Sequence, residues 1–366
     1  MCRFVFALGV LAVGFCLTVS ARAGNIETPD YPLNAVEKLY ADLAKLPAAE
    51  RHKKILDGAA KEEKLESIHT MGGALARGYA KLFQTAYPSV KNVETFVGTQ
   101  QAVERLVAEE RVGRHLTDVL GGDLTELSES LEKGYLARYP TPANERILPQ
   151  YKTFQDPHNR WLVFMWSEQG ISYNSKLVKA EDAPKDWFDL CDPKHKGQVS
   201  FEPTRTRFYV FLYNMLGEER MVEWMKCMGK NEPILMRGQT ARMELMLAGD
   251  HAIQGTNFFY HASQLLDQKG PARVPFRPVY SAPLAANGSG CIINRNTPHP
   301  YGAALNCDWR MDKEPQQYIT DNYRGAVTMP HKFIPADVQL VSTGPMPIDL
   351  VDKLNAYWAE HVAKKR

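Results

Sequence analysis

The sequence predicts an α/β fold in two lobes, each built on a mainly parallel sheet with helices on its faces. Patterns typical of strands and of helices alternate along the chain, which indicates such a sheet. The chain has 366 residues, of which 44% are hydrophobic, and this length exceeds what one core usually serves. Neither an internal repeat nor a long low-complexity linker is visible, so we expect short crossings between the lobes.

Residues 1–23 have the pattern of a cleaved secretory signal peptide. Arg3 precedes an apolar run over residues 4–19, and the triplet Ala21-Arg22-Ala23 predicts cleavage after Ala23. A membrane anchor is disfavoured because the run is shorter than the ~20 residues of a bilayer span. We therefore expect a soluble, exported protein.

Helix and strand patterns follow one another from residue 36 onward. Apolar residues at helical spacing predict a helix over residues 36–46 and a second one over residues 51–63. Two strand-helix cycles come next, with strands over residues 65–69 and 92–98. A third cycle spans residues 117–134, where we expect Asp123 to cap a helix and Glu126 to reach back to it.

The turns that follow these strands are candidates for ligand binding. In a parallel sheet, ligands bind outside the carboxyl ends of the strands, and turns over residues 70–73, 98–100 and 121–123 all contain glycine. Glycine lets the backbone approach a ligand and leaves N–H groups free to bind it; the alternative is that these glycines only relieve tight turns. The candidate binding residues here are Thr70, Gly72, Gly73, Thr99 and Asp123.

The cysteines predict disulfide bonds. Cys2 and Cys16 would leave with the signal peptide, and the mature chain would keep Cys191, Cys227, Cys291 and Cys307. Four cysteines in an exported protein permit three pairings. We expect a local Cys291–Cys307 bridge, between an apolar run and the helical segment after it, and therefore Cys191–Cys227; four free buried thiols are the alternative.

Charge and motifs disfavour several function classes. A net charge of +2 without a basic stripe argues against nucleic acid as a partner. The chain contains neither Gly-x-Ser-x-Gly nor His-Glu-x-x-His, the signatures of two large hydrolase classes. We expect no enzyme activity and no cofactor, and a secreted hydrolase is the alternative from another class.

The stretch "DAPKDWFDLCDPKHKGQVSF", residues 182–201, resembles a segment of type II periplasmic solute-binding proteins, the receptors of ABC importers. Its pattern there is Pro-x-x-Trp-x-x-Leu-x-Asp-Pro-x-x-Lys-Gly, and the ferric-ion-binding branch is the most similar group. The matching positions are Pro184, Trp187, Leu190, Asp192, Pro193, Lys196 and Gly197. The resemblance extends over about residues 55–330.

The resemblance implies a two-lobed periplasmic binding protein type II fold with a hinge. It implies a monomer in the periplasm that closes on a small solute and delivers it to an ABC permease. The expected divisions are an amino-terminal helical extension over residues 24–54, lobe 1 over residues 55–168 and 286–345, lobe 2 over residues 169–285, and a carboxy-terminal helix over residues 346–366. We expect the crossings near residues 169–174 and 280–287.

The resemblance also suggests an iron site that this chain retains only in part. Phe259 and Tyr260 occupy the positions of the two tyrosine ligands, Asp123 matches the acidic ligand, and Gly72 stands where the histidine would be. Phenylalanine and glycine offer no side-chain donor, so we expect no metal; if iron binds, Asp123 and Tyr260 would hold it. If residues 252–260 are extended, Tyr260 points to the side opposite Phe259. We expect Tyr260 to line the cleft, and ordinary core packing is the alternative.

Arginines of the second lobe point instead to an anion. Arg205 and Arg237 precede helical patterns, and arginine near a helix N-terminus is a good receptor for carboxylate or phosphate. We therefore expect a small organic anion held by Arg205 and Arg237. The alternative is that these arginines are solvent-facing helix starts, and for Arg207 and Arg242 this alternative is at least as good. An amine held by Asp123 and Tyr260 is the weaker alternative, because two arginines would repel it.

Overall fold

The computed structural model of the protein describes residues 31–203 and 206–363. The predicted signal peptide and Arg205 lie outside these ranges. The α-helices are α1 (Ala35–Ala44), α2 (Ala48–Glu62), α3 (Gly73–Ala86), α4 (Thr99–Arg111), α5 (Ser128–Glu132), α6 (Thr206–Leu216), α7 (Glu218–Lys230), α8 (Gln239–Ala248), α9 (Phe259–Lys269), α10 (Pro300–Trp309), α11 (Lys313–Asp321) and α12 (Ile348–His361).

The strands lie between these helices in an order that alternates with them over much of the chain. They are β1 (Lys64–His69), β2 (Lys91–Phe96), β3 (Val119–Asp123), β4 (Leu162–Asn174), β5 (Val199–Phe201), β6 (Ile234–Leu235), β7 (Ile253–Phe258), β8 (Phe276–Pro278), β9 (Leu284–Ile293), β10 (Gly325–Ala326) and β11 (Leu340–Ser342).

The described strands form one sheet in the order β2-β1-β3-β9-β4-β7-β5-β6, with β8 and β10 against β4 and β11 against β9. β1 is parallel to β2 and β3, and β5 is parallel to β6 and β7. β9 is antiparallel to β3 and β4, and β4 is antiparallel to β7. Each end of the sheet is thus a parallel unit, and β4 and β9 join the two, which confirms the predicted fold class.

Two clusters of buried side chains correspond to two lobes. The first contains Ile68, Leu120 and Phe164, and the second contains Phe201 and Trp224. The division predicted from the sequence differs from these clusters in several places, of which two bear on the site. The boundary after residue 54 falls inside α2, and buried side chains of α8 and α9, within the predicted lobe 2, belong to the first cluster.

The position of α9 follows from a glycine in β4. A Cβ atom on Gly170 would lie 2.9 Å from Cζ of Phe259 and would also meet Leu284. Because Gly170 has no side chain, Phe259 at the start of α9 packs directly on the central strands, fully buried beside Phe276 and Tyr280. The helix therefore joins the first core although its strand, β7, lies next to the second.

The amino-terminal extension is bound to the first lobe by charged groups. Arg138 and Arg295 donate to the Glu37 carboxylate over 2.8 and 3.0 Å. Burial alone would raise the pKa of Glu37, but hydrogen bonds from Arg138, from the Asn34 backbone and from Arg295 lower it. Arg51 of α2 pairs with Asp308 over 2.5 Å. The extension is therefore an integral part of the lobe.

The carboxy-terminal helix contacts both lobes. Leu354 and Trp358 of α12 are buried in the second core. The segment before the helix is tied to the first lobe, where the Ser128 hydroxyl donates to the Met346 carbonyl over 2.5 Å. The chain therefore passes between the lobes a third time here, in addition to β4 and β9.

The cysteine pairs lie where the sequence led us to expect them. Cys191 is bonded to Cys227 and Cys291 to Cys307, with Cα separations of 5.6 and 5.5 Å. The first pair joins the second lobe's loop before β5 to α7, and the second joins β9 to α10. Each disulfide therefore lies within one lobe, and neither connects the two lobes.

We expect the mature protein to show no reactive thiol in denaturant before reduction and four afterwards, because both pairs have disulfide spacing. The measurement is a thiol titration in guanidinium. Cys291→Ser with Cys307→Ser should lower the thermal midpoint, since a closed loop restricts the unfolded chain. Four thiols before reduction would contradict both bridges.

Candidate functional site

The turns at the carboxyl ends of β1 and β2 leave an open edge on the first lobe. Gly72 precedes α3, and a side chain there would meet no atom within 4 Å; Gly73 has a φ of +24°. Thr70 is tied to the neighbouring strand, because its backbone N–H donates to the Gly121 carbonyl over 3.0 Å. Thr99 is the half-buried first residue of α4. Thr70, Gly72, Gly73 and Thr99 remain predicted ligand contacts.

The third turn predicted from the sequence is a strand. Gly121 and Gly122 lie within β3, which ends at Asp123. Asp123 does not cap a helix: its side chain accepts from the N–H and hydroxyl of Thr125, and α5 begins at Ser128. The physical reason is that β3 pairs with β9 through residue 123, opposite Ser289, so the backbone is still extended there.

An ion pair between the lobes is the central feature of the site. Asp123 ends a strand of the first lobe, and Arg207 lies in the first turn of α6, whose apolar face packs in the second core. Nη2 of Arg207 lies 2.9 Å from Oδ2 of Asp123, and their side chains are 19% and 11% exposed. The pair is largely shielded from water, which strengthens it. Arg207 is therefore not solvent-facing, contrary to the expectation from sequence.

Aromatic rings line the same place from the end of β7. Arg207 lies over the ring of Phe258 at 5.8 Å, and the rings of Phe258 and Tyr260 are 5.4 Å apart. The strand ends at Phe258 and α9 begins at Phe259, so the assumption of extended backbone to residue 260 is wrong. Tyr260 is half-buried, whereas Phe259, the residue before it in the first turn of α9, is buried.

A second arginine, which the sequence did not reveal, covers Tyr260. The guanidinium carbon of Arg324 lies 3.1 Å from the centroid of the Tyr260 ring. Burial lowers the pKa of Arg324, and Tyr260 and Glu168 oppose that shift. Arg324 immediately precedes the short strand β10. Two arginines, Arg207 and Arg324, thus lie on the two rings of one aromatic pair.

The other arginines that the sequence suggested differ in their surroundings. Arg205 lies outside the described residues. Arg237 is exposed between β6 and α8 and makes no ion pair within the described chain. Arg242 is fully buried rather than solvent-facing and donates to the carbonyl and hydroxyl of Thr256 and to Gln239. Arg242 therefore stabilises β7 through its hydrogen bonds to Thr256.

The histidines near the site do not complete a metal centre. His69 is 2% exposed and pairs with Glu94 at the end of β1. His261 packs beside Tyr260, and burial, then Arg324, lower its pKa. Within the described chain, no three His, Cys, Asp or Glu side chains are grouped to hold a metal ion. Asp123 is already occupied by a cation, Arg207.

The Asp123–Arg207 ion pair thus joins the two lobes, on the fold of a periplasmic binding protein. Residues 126–331 match the sequence model of the family described as bacterial extracellular solute-binding protein. The match spans more than half of the chain, and the chain belongs to this family. A search of curated proteins finds no match. Within the described residues, none of the helices has the length and apolar character of a membrane span.

Solved structures of this fold resemble the chain at low sequence identity. Iron-bound HitA from Pseudomonas aeruginosa has a TM-score of 0.65 at 19% identity, covering 81% of this chain and 98% of its own. AfuA from Actinobacillus pleuropneumoniae with fructose-6-phosphate gives 0.64 at 21%, covering 82% and 99%. The Trichodesmium protein IdiA (FutA) with iron and citrate gives 0.63 at 19%, covering 81% and 97%. The predicted type II fold is confirmed.

The ion pair between Asp123 and Arg207 should couple the lobes energetically. In a double-mutant cycle of Asp123→Asn and Arg207→Gln, we expect a coupling of about 1 kcal/mol or more in urea unfolding, because the pair is shielded. The exposed pair Lys53–Asp57 is the matched control and should couple near zero, since surface ion pairs contribute little. Equal coupling in both cycles would contradict an energetic link between the lobes.

His69 should make the protein less stable in mild acid. Burial lowers the folded-state pKa of His69 below the ordinary value of a histidine, ~6.5. As pH falls through that value the unfolded chain therefore binds the proton first, and folding loses stability. His69→Asn should flatten the fall in unfolding free energy between about pH 7 and about pH 5, whereas His52→Asn, at an exposed site, should leave it unchanged. Parallel curves for wild type and His69→Asn would refute this role.

Proposed function

We propose that the protein is a periplasmic receptor for a small organic anion, a carboxylate or a phosphate ester, which it delivers to an ABC permease. Membership of the solute-binding family supports receptor function rather than catalysis. The observation that carries the anion assignment is the Arg207 contact with Asp123 between the lobes. A cation thus occupies one of the two residues that iron would need.

The charge arrangement favours an anion over a metal or an amine. A ferric ion at Asp123 and Tyr260 would have to displace Arg207 and tolerate Arg324 on the tyrosine ring. Two guanidinium groups repel any cation placed between them. For an anion, the same groups supply directed N–H donors, and the Phe258–Tyr260 pair supplies an apolar surface for the rest of the solute.

Solutes of structural neighbours guide the choice of probes. AfuA is seen with fructose-6-phosphate and the Trichodesmium protein with iron and citrate, whereas HitA is iron-bound. One fold therefore serves both an organic anion and a metal. The aromatic rings and arginines of this chain suit an organic anion rather than a metal ion.

In the proposed closure, the solute anion competes with Asp123 for the N–H donors of Arg207. When a solute anion enters, it can take N–H donors of Arg207, because a guanidinium has five of them and Asp123 contacts one edge. Lobe closure would then depend on the solute as well as on Asp123. The predicted contacts at Thr70, Gly72, Gly73 and Thr99 would approach the solute from the first lobe.

A thermal-shift screen tests the proposal. The probes are fructose-6-phosphate, citrate, ferric citrate, free ferric ion and spermidine. A bound solute at a hundred times its dissociation constant should stabilise the fold by ~2.7 kcal/mol, and we expect this only with organic anions. A shift with ferric ion alone, or with spermidine alone, would contradict the anion assignment.

Variants identify the residues responsible for binding. Arg207→Ala and Arg324→Ala should each weaken the affinity for the anion that binds in the screen by at least about tenfold, the scale of a charged hydrogen bond. Arg220→Ala is the matched control, because Arg220 also lies over a ring, that of Phe188 at 5.0 Å, but contacts none of the site residues described above. Unchanged affinity in both site variants would overturn the arginine site.

A further inference from the structure

Gln169 is a buried amide side chain in β4, in the part of the strand that passes between the lobes. It lies between Trp166, which is buried in the first core, and Ile171, which is buried in the second. Gln169 is 2% exposed, and its Nε2 has no hydrogen-bond partner within the described residues. A buried donor without a partner costs free energy, and native proteins retain few of them. The position of this amide therefore requires an explanation.

The orientation of the Gln169 amide follows from its neighbour Asn287 in β9. Nδ2 of Asn287 lies 3.1 Å from the Ser167 carbonyl, which can only accept a hydrogen bond, so this atom is a donor. The same Nδ2 lies 3.5 Å from Oε1 of Gln169, and Oδ1 of Asn287 accepts from the Thr343 hydroxyl over 3.1 Å. Because the acceptor oxygen of Gln169 faces Asn287, its NH2 group points away from Asn287.

These hydrogen bonds join all three passages of the chain between the lobes. Gln169 and Ser167 belong to β4, and Ser167 lies opposite Asn287 of β9. Thr343 follows β11, on the segment that leads to α12, and both its N–H and its hydroxyl donate to the Ala286 carbonyl. The strands that connect the lobes therefore hold the Gln169 amide in place.

Gln169 lies between the two arginines of the site, on one face of the sheet. It is opposite Phe258 in the pairing of β4 with β7, and opposite residues of neighbouring strands share a face. Arg207 lies over the Phe258 ring. The register of β10 against β4 places Arg324, the residue before β10, opposite position 167, ~7 Å along β4 from Gln169. The unpaired NH2 group is thus on the face that carries both guanidinium groups.

We propose that Gln169 donates a hydrogen bond to an anionic oxygen of the solute, as a third, uncharged donor between Arg207 and Arg324. This rests on the proposed function for the charge of the solute. Positive groups on both sides stabilise negative charge at the position between them, and a hydrogen bond to an ionised carboxylate or phosphate is stronger than one to a neutral acceptor. The solute oxygen is the missing partner of Nε2, so binding removes the cost of the unpaired donor.

The orientation of the amide also selects the sign of the solute's charge. A metal ion or an ammonium group needs an acceptor atom, but Oε1 of Gln169 is turned toward Asn287. The group that Gln169 leaves unpaired has donors only. Carboxylate and phosphate oxygens are acceptors, so the amide complements an anion and not a cation.

Thermal unfolding of the solute-free protein tests whether Gln169 serves binding rather than packing. Gln169→Met keeps the length of the side chain but removes the unpaired donor, so its thermal midpoint should equal or exceed that of wild type. Asn287→Leu is the contrast, because it removes an amide that hydrogen-bonds the Ser167 carbonyl and the Thr343 hydroxyl, and its midpoint should fall by at least ~2 °C. A fall of the same size in Gln169→Met would assign a structural role to Gln169 and overturn the proposal.

Calorimetric titration with citrate and with fructose-6-phosphate tests the donated hydrogen bond. Gln169→Met should weaken the affinity for whichever of the two binds by about tenfold. Gln254→Met is the matched control: Gln254 is also fully buried, with both amide atoms unpaired within the described residues, but it lies four residues before Phe258 in β7, ~13 Å away. Its affinity should equal that of wild type. An equal loss in the two variants would show a packing effect and overturn the proposal.

Paired probes identify the oxygen that accepts from Gln169. Tricarballylate is citrate without its hydroxyl group, and inorganic phosphate is the charged group of fructose-6-phosphate alone. Gln169→Met should weaken both members of a pair by the same factor, because the contact is to the anionic group. A loss confined to citrate or to fructose-6-phosphate would place the contact on a hydroxyl group and overturn the assignment.

Failure of the proposed function has a different signature. If wild type binds ferric ion or spermidine but neither organic anion, the proposed function is refuted, and the ligand assigned to Gln169 is refuted with it. If wild type binds an organic anion and Gln169→Met binds it equally well, only the role of Gln169 is refuted.

Discussion

The antiparallel pair of β4 and β9 is the constraint on which the rest of the structure depends. The two strands are hydrogen-bonded from Leu162 opposite Cys291 to Gln169 opposite Ala285. Three site elements pair directly with them: β3 with β9, and β7 and β10 with β4. Asp123, Phe258 and Arg324 therefore lie in, or directly next to, strands that pair with one of these two.

This dependence links the site to the hinge. A change in the twist of β4 would move the end of β7, which carries the aromatic pair, relative to β10, which carries Arg324. Arg207 is different, because it reaches the site from the second core by way of α6. Bringing the lobes together therefore sets the distance between the two arginines, and a solute that contacts both would sense that distance.

Local patterns in the sequence predict a large part of this architecture. Strand-helix alternation gives the α/β class, and the resemblance around Trp187 gives the two-lobed fold. Cysteine positions suggested both pairs that lie at disulfide spacing. The position of Asp123 at the end of a strand was also predictable, because it follows an apolar strand pattern.

Long-range contacts account for what the sequence did not reveal. Arg207 and Asp123 are distant along the chain, and nothing in "PTRTRFYVFLY" indicates that Arg207 meets a carboxylate. Arg324 precedes a strand of only two residues, too short for any periodicity. The start of α9 at Phe259 was missed because an aromatic run is compatible with both strand and helix.

The glycines of β3 show how a ligand-binding pattern can have a structural cause. A Cβ atom on Gly121 would lie 2.8 Å from Nη1 of Arg310, a fully buried arginine. Arg310 lies over Phe164 at 4.6 Å and over Tyr79 at 5.7 Å, and its Nε donates to Asn306. Gly121 is therefore required to make room for a buried cation rather than to approach a solute.

Arg310 and Glu168 are both fully buried charged residues, but their surroundings differ. Two aromatic faces and the Asn306 amide oxygen offset part of the cost of burying Arg310, whereas its Nη1 and Nη2 have no hydrogen-bond partner within the described residues. Glu168 has no hydrogen bond within the described residues, and Nε2 of His331 lies 3.5 Å from its Oε2. Aromatic rings therefore compensate part of the cost of the buried cation, and the carboxyl group in β4 has no such hydrogen-bonded compensation.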